Sequence, residues 1–129
     1  MYVLIDICVD NQILLALFTK NGLQKEYRYE QQNTDLLFCF TELLNQASLT
    51  KRDILGIAVV LGNGRFSSTR VAVTVANTWG YAEHIPVVAV DYAPAYDYVA
   101  IANTLAAQVP GIPLTATYSA EPNIGKIQT

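Results

Sequence analysis

Ile54-Leu55-Gly56-Ile57-Ala58-Val59-Val60-Leu61-Gly62-Asn63-Gly64-Arg65-Phe66-Ser67-Ser68-Thr69-Arg70 passes from an apolar run through a glycine-bearing loop into helical periodicity. Residues 54–61, rich in β-branched side chains, read as a buried strand. The helix begins near Ser67 and continues through Val71, Val75 and Ala82 to about Glu83. Two glycines let the chain turn sharply and leave its N–H groups exposed. With the positive end of the helix dipole, those N–H groups favour an anion. Gly62, Asn63, Gly64, Arg65, Ser67 and Ser68 therefore form a candidate anion-binding loop. The plainer reading is a tight turn, with Ser67 or Ser68 as an ordinary N-cap.

Upstream, residues 2–9 are nearly all apolar, as suits a central strand covered on both faces. Asp10-Asn11 makes a turn, and 12–19 read as a second strand. Asn21-Gly22 between two strand-like runs is a hairpin signal. The third strand, 23–30, alternates, with Leu23, Lys25, Tyr27 and Tyr29 on one face. Gln24, Glu26, Arg28 and Glu30 take the other, as on an edge strand with one wet side. Leu36, Leu37, Phe40, Leu43, Leu44 and Ala47 then form a helical stripe, with Asn33 or Thr34 as cap. After the second helix come a strand over 85–90 and a helix over 94–108, which Pro110-Gly111-Ile112-Pro113 stops. The sequence predicts one lobe over 1–112, then a short strand and tail over 113–129. The order β-β-β-α-β-α-β-α gives an α/β fold: a mixed sheet with helices on its faces. That is the order of the ribonuclease-H-like fold, as in a single lobe of actin-like ATPases.

At 129 residues the chain is one domain with room for a real core. Apolar residues make up 52% and charged ones 15%, which points to surface covered by a partner. A net charge of −3 with scattered Lys and Arg opposes a nucleic-acid-binding face, since phosphate neutralisation needs clustered cations. Cys8 and Cys39 have no metal-ligand spacing and read as small buried hydrophobes in a reducing cytoplasm. Residues 1–6 lack the basic start of a signal peptide, and no apolar run reaches the ~20 residues of a membrane helix.

The segment from Asp53 to Val73 resembles the signature of the TsaB (YeaZ-type) family, which usually reads Gly-Pro-Gly-Ser-Phe-Thr-Gly-Leu-Arg after the buried strand. Ile85-Pro86-Val87-Val88-Ala89-Val90 is similar to the family's next strand, and the opening strand with Asp6 falls in register. The resemblance covers about residues 2–91, and Tyr118-Ser119-Ala120-Glu121-Pro122-Asn123-Ile124 is similar to the family's C-terminal end. It implies a role in making N6-threonylcarbamoyladenosine beside the tRNA anticodon. In that system TsaB is a noncatalytic scaffold for the related TsaD, which carries the metal and the chemistry. TsaE supplies an ATPase, and TsaB also self-associates through similar helices. Here Asn63 replaces the motif's Pro, Arg65 its Ser, and Ser68-Thr69 its second Gly-containing half. Family members have two lobes and this chain has room for one, which weighs against nucleotide binding between lobes.

The chemistry-bearing residues are few. His84, the one histidine, reads as a solvated helix terminus, and Asp6 reads as solvated or hydrogen-bonded for want of a second carboxylate. No nucleophile elbow, metal-ligand set or cofactor motif appears, so the chain is expected to be no enzyme. Tyr92, Tyr96 and Tyr98 read as aromatic packing before a base-stacking platform. Arg70 falls at the family's arginine position and implies a structural hydrogen bond. On a helical wheel Val71, Val75, Thr78, Trp79 and Ala82 cover the sheet, while Thr69, Val73, Ala76 and Gly80 form an opposite strip of small residues. Phe38 points away from the first helix's buried stripe. Phe38, Thr41, Val73, Ala76 and Gly80 are thus the expected interface with TsaD or a second copy, and Val73→Glu is expected to leave a folded monomer. The alternative function is a small anion- or nucleotide-binding domain using the glycine loop.

Overall fold

The computed structural model describes residues 1–7, 12–30, 36–61 and 66–114, with backbone alone for 66–69. Its elements are β1 (Tyr2–Asp6), β2 (Gln12–Thr19), β3 (Gly22–Glu30), α1 (Leu36–Gln46), β4 (Gly56–Leu61), α2 (Phe66–Glu83), β5 (Val87–Asp91) and α3 (Tyr98–Ala107). A single 3-10 turn, Lys51–Asp53, precedes β4. The five strands form one sheet in the order β3-β2-β1-β4-β5. β1, β2 and β3 pair antiparallel, whereas β4 joins β1 and β5 joins β4 in parallel. This is the mixed sheet that the element order predicts, with β3 at an edge.

Strand periodicity divides the core into two layers. Val3, Ile5, Leu15, Leu17, Ile57, Val59 and Val87 face α1 and α2, together with Phe40 and Leu43. Leu4, Ala16, Phe18, Ala58, Val60 and Val88 face α3 and its Ile101, Ala102 and Leu105. β4 is buried along its whole length because both layers cover it.

Two sequence expectations change here. Phe18 pairs with Leu23 but Leu17 pairs with Lys25, so β3 carries one extra residue at Gln24. That bulge moves Leu23 to the α3 side, away from the face of Lys25, Tyr27 and Tyr29; simple alternation fails past it. The third helix starts at Tyr98, not near Pro94, because the Asp97 carboxylate accepts from the Ala100 N–H at 3.1 Å and caps it there. The strand expected beyond residue 113 falls, past Leu114, outside the described residues.

Candidate functional site: an open helical face and a tyrosine-lined cavity

α2 sits on the sheet through the strip of small residues. Val73 is 4% exposed and Ala76 is fully buried. A Cβ on Gly80 would stand 2.6 Å from Cγ2 of Val87, so a glycine is what lets the helix axis come this close. The predicted wheel is therefore reversed. Val73, Ala76 and Gly80 meet the sheet, and Val71, Thr74, Thr78 and Ala82 face outward. The reason is steric: small side chains shorten the helix-to-sheet distance, and dispersion contact then outweighs the larger apolar area of the Val71 side. Val73, Ala76 and Gly80 are thus withdrawn as surface residues.

On α1, Phe38 is 58% exposed and Thr41 is exposed, its hydroxyl donating to the Leu37 carbonyl at 3.0 Å. Leu37, expected within the buried stripe, is 48% exposed, and Cys39 is buried in its place. Between the helices runs a groove of about 300 Å³. Leu37, Val75, Thr78 and Trp79 line it, and Lys51 and Glu83 close one rim with a 3.7 Å ion pair. The Trp79 ring stacks on Phe40 at 4.4 Å between centroids, and its indole N–H is buried without a hydrogen-bond partner. The groove is apolar, shallow and continuous with exposed aliphatic side chains, a shape that suits another helix.

A second cavity, about 320 Å³, opens on the α3 side where β1 ends. Asp6 is 6% exposed and its carboxylate accepts the Tyr96 hydroxyl at 2.7 Å, the hydrogen-bonded state expected of it. Tyr98 packs on Phe18 at 5.2 Å and meets Tyr96 edge-on at 6.2 Å, so these two tyrosines pack as aromatic core and rim, while Tyr92 is exposed at the cavity's edge. Burial first, and then the Glu26 carboxylate, push the Tyr98 phenol up to about 12. Glu26 also accepts from Arg28 at 3.2 Å. Among the described residues no group of three His, Cys, Asp or Glu side chains is placed to hold a metal. Residues 62–65 of the candidate anion loop, Arg65 included, lie outside the described residues, while Ser67 and Ser68 fall in the first turn of α2. His84 is exposed at the end of α2 with φ +57°, the left-handed conformation that closes many helices.

One contact had no signal in the sequence. The Asn77 side-chain amide donates to the Leu114 carbonyl at 2.8 Å and accepts from the Leu114 N–H at 2.9 Å. A lone asparagine among small helical residues gives no hint of a partner 37 positions away.

The family model for TsaD, described as tRNA N6-adenosine threonylcarbamoyltransferase, matches residues 26–120. The chain belongs to this family. A tRNA N6-adenosine threonylcarbamoyltransferase of Latilactobacillus sakei is 30% identical over 79 residues, covering 61% of this chain and 23% of that protein. A Pseudomonas aeruginosa protein described as similar to peptidase YEAZ superposes with TM-score 0.60 at 25% identity, over 70% of this chain and 44% of that one. YeaZ from Pseudomonas aeruginosa superposes with the same score and coverage at 23% identity, a likeness of fold. The sheet and its helices are thus those of a YeaZ-type, actin-like lobe. The chain spans about a quarter of the curated relative and less than half of either solved chain. No helix among the described residues is long and apolar enough to cross a membrane.

Proposed function

We propose that the chain is a noncatalytic, TsaB-like partner of a TsaD-type subunit in tRNA N6-threonylcarbamoyladenosine formation, docking through α1 and α2. The observation that carries this reading is the half-exposed apolar face on those helices: Leu37, Phe38 and Val71 stand 48%, 58% and 49% exposed beside the Trp79 groove. A monomeric domain rarely leaves such a surface to water. Membership in the TsaD family supports a TsaD-type partner, and the paucity of titratable residues in the groove supports a binding role. In this reading the chain acts in the cytoplasm, has no cofactor of its own, and meets tRNA and any TsaE-like ATPase only through the complex.

The test is the mass in solution of the purified chain, alone and mixed with TsaD from the same organism. A mixed complex that Phe38→Glu or Val71→Glu abolishes, with the variants still folded, supports the proposal. A self-dimer that ignores TsaD would transfer the face to a second copy. A monomer in both experiments would overturn it.

A further inference from the structure

β3 ends the strand order, and among the described residues no strand lies on its outer side. It runs for nine residues, against five for β5 at the opposite edge. The outer N–H and C=O groups of such a strand are a template for a further strand. Long edges are commonly guarded by charge, and β3 carries Lys25, Glu26, Arg28 and Glu30, all exposed. The order of those charges decides which strand they turn away.

A second copy of β3 can add to this edge only antiparallel, related by a two-fold axis across the strands. In an antiparallel pair, opposed residues both point their N–H and C=O at the partner or both point them away. The axis therefore passes through a residue, not between two. At Tyr27 it sets Glu26 opposite Arg28 of the second copy, and Arg28 opposite its Glu26. Lys25, whose ammonium lies 5.7 Å from its own Tyr27 ring, then meets Tyr29 of the second copy, and Gln24 meets Glu30. Shifted one residue either way, the axis sets Glu26 against Glu26 or Arg28 against Arg28. At Lys25 it opposes that lysine to itself, and at Gln24 it falls on the bulge. Like charges directly opposite destabilise a strand pair, so the pattern rejects slipped copies and admits the register centred on Tyr27.

We propose that β3 is a self-association edge, which pairs with β3 of a second copy about Tyr27 and joins the two sheets into one. In the single chain Arg28 donates to Glu26 of its own strand at 3.2 Å, with the side chains 54% and 34% exposed. A surface pair of that kind contributes little to stability. Across the two-fold axis the same four side chains alternate in sign, each between two opposite charges, and a network of this kind counts for more than its isolated pairs. The pairing uses main-chain groups and the Glu26–Arg28 square, with no part played by Leu37, Phe38 or Val71. It is therefore independent of the docking role proposed for α1 and α2.

The experiment is sedimentation velocity on the full chain over a concentration series, with Phe38→Glu present throughout to disable the helical face and circular dichroism to confirm the fold. A dimer is expected, weakened by high salt because its ion pairs are exposed. Arg28→Glu places Glu26 against a glutamate at two symmetric positions and should weaken the dimer about tenfold or more. Glu26→Arg should do the same. An equimolar mixture of these two variants restores both opposed pairs and should form a one-to-one heterodimer, and the double variant Glu26→Arg, Arg28→Glu should dimerise again. Glu26 adjoins Tyr98, so if Glu26→Arg fails to fold, Gln24→Lys takes its place: opposite Glu30 of the second copy, it should tighten the dimer. A monomer at every concentration, or a dimer indifferent to Arg28→Glu, would overturn the proposal. So would folded charge-swapped variants that do not restore association, or a Gln24→Lys chain that associates no more tightly.

Discussion

On the α3 side of the sheet, Phe18 is met by Tyr98 and the Asp6 carboxylate by Tyr96, so aromatic and polar needs are answered within the chain. On the other side Phe40 and Trp79 seal the interior, yet Leu37, Phe38 and Val71 are left about half exposed beyond them. Both layers rest on the same strands and draw on the same alternation of apolar residues. They differ in what lies outside the first row of contacts. Tyr96 and Tyr98, before and at the start of α3, reach back to β1 and β2, whereas among the described residues Leu37, Phe38 and Val71 keep the outer faces of α1 and α2 about half exposed. A layer completed internally reads as structural, and a layer left open reads as a place for another molecule.

The comparison breaks most visibly at Val73. If α2 rests on the sheet through its small residues, Val73→Glu buries an unpaired charge and costs more than about 4 kcal/mol, enough to unfold a marginal domain. Thermal unfolding followed by circular dichroism checks it; a folded monomer would return Val73 to the surface. Phe40→Ala, beneath the open face, should remove about 3–5 kcal/mol by the shift in denaturant midpoint, since Phe40 is fully buried against Trp79. On the closed side, Tyr96→Phe takes one donor from the buried Asp6 carboxylate and should cost about 1–3 kcal/mol in the same measurement.

Tyr98 gives that side a pH dependence. Its folded pKa of about 12 lies above the ordinary value of 10. The stability it contributes is whole below pH 10 and is lost as pH rises from there toward 12, where the unfolded phenol ionises first. Denaturant midpoints across that window should fall in the native chain and fall less steeply in Tyr98→Phe, the remaining slope including Tyr29, whose phenol burial also pushes up. The smallest effect on stability belongs to the open face: Phe38→Ser should change it by no more than about 0.5 kcal/mol while weakening association.

Much of the fold was legible in the chain because strand periodicity is local. The strands read over 2–9, 12–19 and 54–61 announce themselves by apolar runs and lie at Tyr2–Asp6, Gln12–Thr19 and Gly56–Leu61, and Asn21-Gly22 announces itself by its turn chemistry. Asp97 shows how a boundary escapes that reading, since Pro94 offers an earlier helix start and only the capping bond decides between them. Phe38 was recognisable as exposed because it stands off a strong apolar stripe. The orientation of α2 was not recognisable, because it carries apolar residues on two sides.

The sequence by itself determined the order of elements, the class of sheet, the family and the poverty of catalytic groups. Each follows from short-range patterns of side-chain type. The tertiary structure alone decided which side of α2 meets the sheet, where Leu23 points, and that Tyr96 reaches Asp6 and Asn77 reaches Leu114. The face of α2 depends on how near a helix can approach Val87, a distance set by packing. The Tyr96–Asp6 and Asn77–Leu114 contacts join residues 90 and 37 positions apart, and hydrogen bonds at that separation exist only once the sheet has brought their ends together.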